Sequence, residues 1–274
     1  WETLPYGSFS PHQDIISDRL ATLFSLPRMQ RGIVVTSVSS LMHLLPPRQY
    51  IDANSLDLAR GQKQALSDLR EQMAIAGYQH VTTVMEHGEF AVRGSIVDIF
   101  PMGTALPLRI DLFDDEIDSI RRFDPETQRS ATTVERVCLL PGREFPLDES
   151  GIMQFRKRFR ERFDVDTRQC PIYQDVSDGI ASPGLEYYLD VFFEKLDSLF
   201  DFLPDDATIC KAGDLRQAGE KFWADVSNRY EDRRFDKYRP ILAPEQVFIP
   251  VNELFSQLKS YRQVEFKAHP QAMS

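Results

Sequence analysis

The chain has 274 residues, of which 42% are hydrophobic and 27% are charged, a composition typical of folded globular proteins. Its 42 acidic residues outnumber 32 basic residues, and the formal net charge of -10 argues against nucleic-acid binding over the whole surface. Three widely spaced cysteines are too few for a disulfide framework or a zinc site and favour a reducing compartment. No apolar run approaches the roughly 20 residues that cross a bilayer, and no signal peptide is recognisable, so we expect a cytoplasmic protein.

The first region, residues 1–54, predicts part of an α/β domain. It begins at Trp1 without an initiator methionine, so we expect a piece of a larger protein. Apolar residues at helical spacing predict a helix over 12–26. The run GIVVTSV, residues 32–38, is rich in β-branched residues and predicts a strand buried on both faces. A short helix over 39–45 should end before two prolines. Helix, buried strand and helix in succession indicate the C-terminal part of the first segment of an α/β domain.

The second region, residues 55–138, predicts a small α+β domain. SLDLARG alternates as a strand does, and the amphipathic stretch 62–78 predicts a helix that ends at Gly77. Between residues 81 and 138, short alternating segments are separated by the turn sequences HGE, RGS, PMG and DPET. This pattern predicts an antiparallel sheet with one helix.

The third region, residues 139–274, predicts the second segment of the α/β domain. Helical patterns cover 150–165, 214–234 and 252–261, and strand candidates lie at 207–212 and 263–267. In the first of these helices, phenylalanines recur every four residues among five basic residues. Aromatic and basic residues together can bind single-stranded nucleic acid, but this spacing favours a stripe that faces the core.

The acidic run that follows RIDLF is similar to the Walker B end of a nucleotide-hydrolysing domain. It consists of Asp114, Asp115, Glu116 and Asp118. The preceding strand carries a charge at Asp111 and the chain has no phosphate-binding glycine loop, so ATP hydrolysis is not favoured. Pro125 occupies the position of the last ligand of a calcium loop, and a solvated hairpin turn is favoured instead. No metal ligand set or catalytic nucleophile is recognisable; His80 and His87 are interpreted as structural or solvent-exposed.

Two alternating segments, FAVR (90–93) and PLRIDLF (107–113), define a candidate surface. A period of two sends one set of side chains inward and the other outward. The predicted inward residues are Phe90, Val92, Leu108, Ile110 and Leu112. The predicted outward residues are Ala91, Arg93, Arg109, Asp111 and Phe113. If both strands share one sheet, two guanidinium groups and one benzyl ring project from a common side, unburied until a partner covers them.

Two interpretations of this surface stay open at this point. In the first, the charged residues are solvated or paired across strands, where such pairs contribute roughly 0.2–1 kcal/mol each. In the second, the surface binds a protein, because burying a phenylalanine gives about 1.5–3 kcal/mol and arginine beside an aromatic ring is typical of binding hot spots.

Three longer stretches are distinctive, namely WETLPYGSFSPHQDIISDRL (1–20), GYQHVTTVMEHGEFAVRGSIVDIFPMG (77–103) and LRIDLFDDEIDSIRRFDPETQRS (108–130). They closely resemble the N-terminal part of bacterial transcription-repair coupling factors, the Mfd family. The resemblance extends to PGREFP, GLEYY and VNELFSQLK. The segment FAVRGSIVDIFP is also similar to its counterpart in the excision-repair protein UvrB.

The resemblance implies a UvrB-homology module. In such a module an incomplete, degenerate helicase-like α/β domain, derived from P-loop NTPases and formed here by 1–54 and 139–274, is interrupted by a UvrA-binding domain, here 55–138. The family's UvrA contacts match Arg93, Arg109 and Phe113, the same residues that the alternation selects. No catalysis and no cofactor are expected in this chain.

The resemblance also implies what the parent protein contains. ATP and magnesium are expected in its motor domains, and RNA polymerase, double-stranded DNA and its own C-terminal domain are expected partners. The alternative is a DNA-binding or ATP-driven damage-recognition fragment of a UvrB-type helicase.

Overall fold

The computed structural model describes residues 3–266. Its first region contains α1 (Gln13–Ser25), α2 (Val38–Leu41) and α3 (Arg48–Ala53). Helix α1, predicted from its spacing, packs its apolar face into a core that also contains residues of α3. Helix α2 ends four residues before the predicted boundary, because His43 and Leu45 instead form backbone bridges to Phe248 and Asp197.

The predicted strand over 32–38 is wrong. Residues 32–37 form no regular secondary structure, no strand among residues 3–266 pairs with them, and Ile33 and Val35 are each 91% exposed. A β-branched run becomes a buried strand only where neighbouring strands satisfy its backbone on both sides. The described residues place none there.

The second region forms two sheets and one helix. Its elements are β1 (Leu56–Ala59), α4 (Leu66–Ile75), β2 (Gln79–His80), β3 (Glu89–Arg93), β4 (Ile96–Ile99), β5 (Leu108–Phe113), β6 (Glu116–Phe123), β7 (Ser130–Val134) and β8 (Arg136–Leu139). Strands β2 to β7 form a six-stranded sheet in sequence order, and β1 pairs with β8. The sheet is antiparallel as predicted, except that β2 runs parallel to β3. Helix α4 is followed by Gly77, whose φ of 86° suits a helix C-terminus.

The six-stranded sheet is covered differently on its two faces. Helix α4 covers the inner face through Leu69 and Met73. On the outer face a smaller cluster covers one end, formed by Val84, Ala91, Phe100 and Phe123. The prediction that Ala91 points into solvent is therefore wrong: it is 2% exposed because this second cluster packs over it.

The third region is mostly helical. It contains α5 (Glu149–Arg162), α6 (Pro171–Ser177), α7 (Leu189–Phe192), β9 (Thr208–Ala212), α8 (Leu215–Arg233), α9 (Val251–Leu258) and β10 (Arg262–Phe266). Strands β9 and β10 pair in parallel, and Lys267, the last residue of the predicted second strand, lies outside the described residues. The chain is thus a mixed α/β protein, as predicted. No helix within residues 3–266 is both long and apolar enough to span a membrane.

A buried charge cluster joins three parts of the chain. Nε of Arg19 on α1 lies 2.9 Å from Oε1 of Glu144, which follows β8, and Glu186 of the GLEYY segment is buried close by. Burial raises the pKa of both carboxyl groups, and the charge of Glu186 raises that of Glu144 further. Both acids interact with the guanidinium of Arg19 in a desolvated site, and Glu186 also interacts with that of Arg239.

The phenylalanine stripe of α5 makes a first prediction. Phe155 and Phe159 are fully buried, which confirms the core interpretation, whereas Met153 on the same helix is exposed. We expect Phe159→Ala to lower the free energy of unfolding by about 3–5 kcal/mol. Met153→Ala, the matched control, should change it by less than about 0.5 kcal/mol. Urea unfolding followed by circular dichroism measures both, and equal effects would contradict the packing.

The charge cluster makes a second prediction, about pH. Because the pKa of Glu186 is higher in the folded than in the unfolded chain, its contribution to stability is complete below the unfolded pKa and declines as pH rises through the folded pKa. We expect Glu186→Gln, which stays neutral, to lose less stability than wild type as pH rises from the ordinary glutamate pKa of 4.5 through the raised pKa of Glu186. The exposed Glu194→Gln should follow wild type. Parallel curves for all three proteins in urea titrations at each pH would contradict this assignment.

Candidate protein-docking face

The alternation predicted for β5 is confirmed by the structure. Leu108, Ile110 and Leu112 are buried on the inner face, while Arg109 and Asp111 are half-buried and Phe113 is exposed on the outer face. Cross-strand pairs place β3 and β4 residues beside them: Asp98 is opposite Arg109, and Ile96 is opposite both Arg93 and Asp111. Directly opposed residues share a face of a sheet, so Arg93, Asp98, Arg109 and Phe113 all lie on the outer face. We call these four residues the docking set.

Phe113 is 75% exposed at the end of β5. The chain then reverses through a two-residue turn, Asp114 and Asp115, with Asp114 at a φ of 51°, which confirms the predicted hairpin turn. The N–H of Gln64 donates to the carbonyl of Asp115 at 2.7 Å, and the backbones of Lys63 and Glu116 form an isolated antiparallel β-bridge. Backbone contacts with the 61–64 segment thus stabilise the hairpin, and this hairpin presents the exposed ring of Phe113 to solvent.

Arg109 is more buried than the sequence indicates. Its side chain is 16% exposed and makes a bidentate ion pair with Asp98, Nε donating to Oδ1 at 2.7 Å and Nη2 to Oδ2 at 2.9 Å. Nη1 donates to the carbonyl of Gln128 at 3.2 Å, and the guanidinium lies 4.7 Å from the ring centroid of Phe123. The expectation that Arg109 projects unburied is therefore wrong, because its own domain already covers most of it.

The hydrogen bonds to Asp98 raise the pKa of Arg109, although an arginine is charged at any physiological pH even without this shift.

Arg93 is the exposed arginine of the docking set. Its side chain is 52% exposed, and its Nη2 donates to Oδ2 of Asp98, the oxygen that Arg109 also uses. This is one hydrogen bond for a side chain with five N–H donors. One carboxylate thus aligns two guanidinium groups, and their combined positive charge exceeds its negative charge.

Asp98 is the site residue that the sequence interpretation missed. It is 1% exposed and sits in the apolar run SIVDIF, which reads as a core strand. The signal that could have revealed it is its position in β4: a lone acid with apolar neighbours on both sides requires a cationic partner. Finding that partner requires the register between β4 and β5, which residue pattern alone does not give.

Of the two histidines near this sheet, His80 is exposed, with its ring centroid 5.1 Å from that of Phe90, and His87 has hydrogen-bond contacts. Nδ1 of His87 lies 2.8 Å from Oδ1 of Asp14 on α1, and its Nε2 lies 2.8 Å from the carbonyl of Thr104. Within residues 3–266, no group of three His, Cys, Asp or Glu side chains is arranged to hold a metal ion.

Comparison with known proteins gives this face a context. The family model described as "UvrB interaction domain" matches residues 56–145, which include the whole docking set. The transcription-repair-coupling factor of Escherichia coli K12 is 47% identical over 97% of this chain and 23% of its own length. That of Haemophilus influenzae is 46% identical over 98% of this chain and 24% of its own, and that of Bacillus subtilis is 29% identical over 72% and 18%. The chain thus spans about a fifth to a quarter of the length of these relatives.

The two arginines of the docking set give a third prediction. Lysine cannot reproduce the bidentate pair or the stacking of Arg109, so Arg109→Lys should lower the free energy of unfolding by about 1–3 kcal/mol. Arg93 is half exposed and has one contact with Asp98, so Arg93→Lys should cost less than about 1 kcal/mol. Urea titration distinguishes them; equal losses would mean that Asp98 does not organise Arg109.

Proposed function

We propose that this chain, which belongs to the transcription-repair-coupling factor family by its similarity along nearly its whole length, is a non-catalytic adaptor that recruits UvrA to sites of transcription-coupled repair. The observation that carries the proposal is the arrangement on the outer face of the 56–145 domain. There an exposed phenylalanine, on a braced hairpin, shares a surface with an ordered arginine pair. The resemblance to UvrB-homology modules supplies the identity of the partner.

In the proposed complex the three contact residues have different tasks. Phe113 enters an apolar pocket of UvrA, and the burial of its ring provides a large part of the binding free energy. Arg93 makes a charge-assisted hydrogen bond to a UvrA carboxylate through the N–H groups that Asp98 does not occupy. Arg109 contributes fixed positive charge and holds its side of the pair in place.

The proposal includes an architecture. We propose an α/β domain of helicase-like ancestry in two segments, 1–54 and 139–274, with the adaptor domain inserted at 55–138. The pairing of β1 with β8 supports these bounds, since it brings the two ends of the insertion together. Lack of cofactors in this module and a cytoplasmic location are part of the same proposal.

For the parent protein we propose an ATP- and magnesium-dependent DNA translocase that contacts RNA polymerase and double-stranded DNA. Its C-terminal domain would cover the docking set until the motor engages polymerase. Under this proposal the isolated chain binds UvrA more tightly than the resting parent does.

The alternative is a DNA-binding or ATP-driven fragment of a UvrB-type helicase. The similarity of FAVRGSIVDIFP to UvrB favours this alternative. ATPase and DNA filter-binding assays on the isolated chain separate the two, because an adaptor has neither activity.

The fourth prediction tests the anchor. Phe113→Ala should weaken binding to purified UvrA roughly 30-fold, the counterpart of about 2 kcal/mol, with the melting temperature unchanged. Phe235 is also 75% exposed but lies outside 56–145, so Phe235→Ala is the matched control and should bind like wild type. Surface plasmon resonance with immobilised UvrA gives both affinities. Wild-type affinity for Phe113→Ala, or equal losses in both variants, would contradict the adaptor proposal and favour a role as a clamp for other domains of the parent.

A further inference from the structure

We infer that Asp98 is a positioning residue of the docking set: its buried carboxylate fixes both guanidinium groups in the orientation in which UvrA meets them. This inference rests on the proposed function and extends it to a residue that does not itself touch the partner. It begins from the burial of Asp98, which is 1% exposed between two arginines of different exposure.

A buried carboxylate is costly unless it is paired and hydrogen-bonded. Asp98 meets that condition through three guanidinium contacts, two from Arg109 and one from Arg93. An apolar residue at position 98 would pack against Ala91, which lies directly opposite on β3, and would need no cationic partner. The carboxylate is therefore best explained by what it does to the two arginines.

For Arg109, the effect is to immobilise a charge. Three of its five N–H donors are engaged within the domain, two by Asp98 and one by the carbonyl of Gln128. Its guanidinium is also seated over the ring of Phe123. These contacts keep the guanidinium of Arg109 from reorienting toward a ligand, so it provides a positive charge at a fixed position beside Arg93.

For Arg93, the effect is to remove conformational freedom before binding. A half-exposed arginine without a tether samples many rotamers, and ordering it on binding costs entropy. The contact of its Nη2 with Asp98 orders the side chain during folding instead. Its free N–H edge then meets a carboxylate on the partner with less entropy to lose, which strengthens binding without an additional contact.

The test compares UvrA affinity in a double-mutant cycle of Asp98→Asn and Arg93→Met, measured where near-ultraviolet circular dichroism confirms folded protein. In the wild-type background Arg93→Met should weaken binding roughly tenfold. In the Asp98→Asn background, which is itself weaker, the same change should weaken binding less than roughly threefold, since Arg93 is no longer ordered. Additive losses, or wild-type affinity for Asp98→Asn, would overturn the inference.

The control is Asp190→Asn, because Asp190 also pairs with an arginine, Arg162 at 2.7 Å, but lies outside the matched domain. It should bind UvrA like wild type, and a loss equal to that of Asp98→Asn would overturn the inference. If Asp98→Asn does not fold, Arg109→Lys is measured instead: it keeps the charge and the carboxylate but breaks the bidentate contact. It should weaken UvrA binding because the charge at position 109 is no longer held in a fixed orientation, while Arg93→Met keeps its roughly tenfold effect because Asp98 still orders Arg93. Wild-type affinity for Arg109→Lys would overturn the inference.

A second readout does not depend on UvrA. In NMR spectra of the wild-type chain, the Nε–H of Arg109 should give a resolved resonance that is protected from exchange with solvent. Asp98→Asn should remove this protection, and Asp190→Asn should leave it unchanged. Failure of the wild-type chain to bind UvrA would reject the proposed function, whereas unchanged protection in Asp98→Asn would reject the positioning role alone.

Discussion

The outer face of the six-stranded sheet depends on one interaction, the ion pair between the buried Asp98 and two arginines. The pair spans β3, β4 and β5, three adjacent strands that alternate in direction. Because a sheet keeps opposed side chains at a fixed separation, the backbone determines where both guanidinium groups lie. The chemistry of the face is thus set by strand register and not by loop conformation.

Exposure increases along β5 in one direction. Arg109 sits over Phe123 at the covered end, Asp111 pairs with Arg121 at 3.2 Å in the middle, and Phe113 stands in solvent at the hairpin. The small outer cluster explains the gradient, since it packs over one end of the sheet and stops before the other. One strand therefore carries a structural residue at one end and an exposed apolar ring at the other. A surface of this kind combines a rigid base with an anchor that loses little conformational entropy on binding.

Local pattern predicted some of these features well and others not at all. The alternation of β5 and the phenylalanine stripe of α5 could be predicted because each depends on a single element and its period. The burial of Ala91 and the pairing of Asp98 could not, since both depend on which strands are neighbours and in what register. The error at residues 32–37 has the same origin. A run rich in β-branched residues favours a strand, but a strand forms only where neighbouring strands pair with it. The assignment of Arg93, Arg109 and Phe113 to UvrA came from family resemblance as well as from alternation, and it stays a prediction.

The attachment of the sheet to α1 bears on what an adaptor can do once it has bound. Gly103 donates its N–H to Oγ of Ser17 at 2.8 Å, and a Cβ at this glycine would lie 2.8 Å from Cβ of Ala21, so turn and helix are in close contact. His87 adds its contact with Asp14 on the same helix. Two short polar contacts and the close approach of Gly103 to Ala21 restrict rotation of one part against the other more than a flexible linker would. A partner held on the outer face is therefore held in a defined orientation relative to the α/β segments. Recruitment through this module would then deliver UvrA in a set geometry, beyond raising its local concentration.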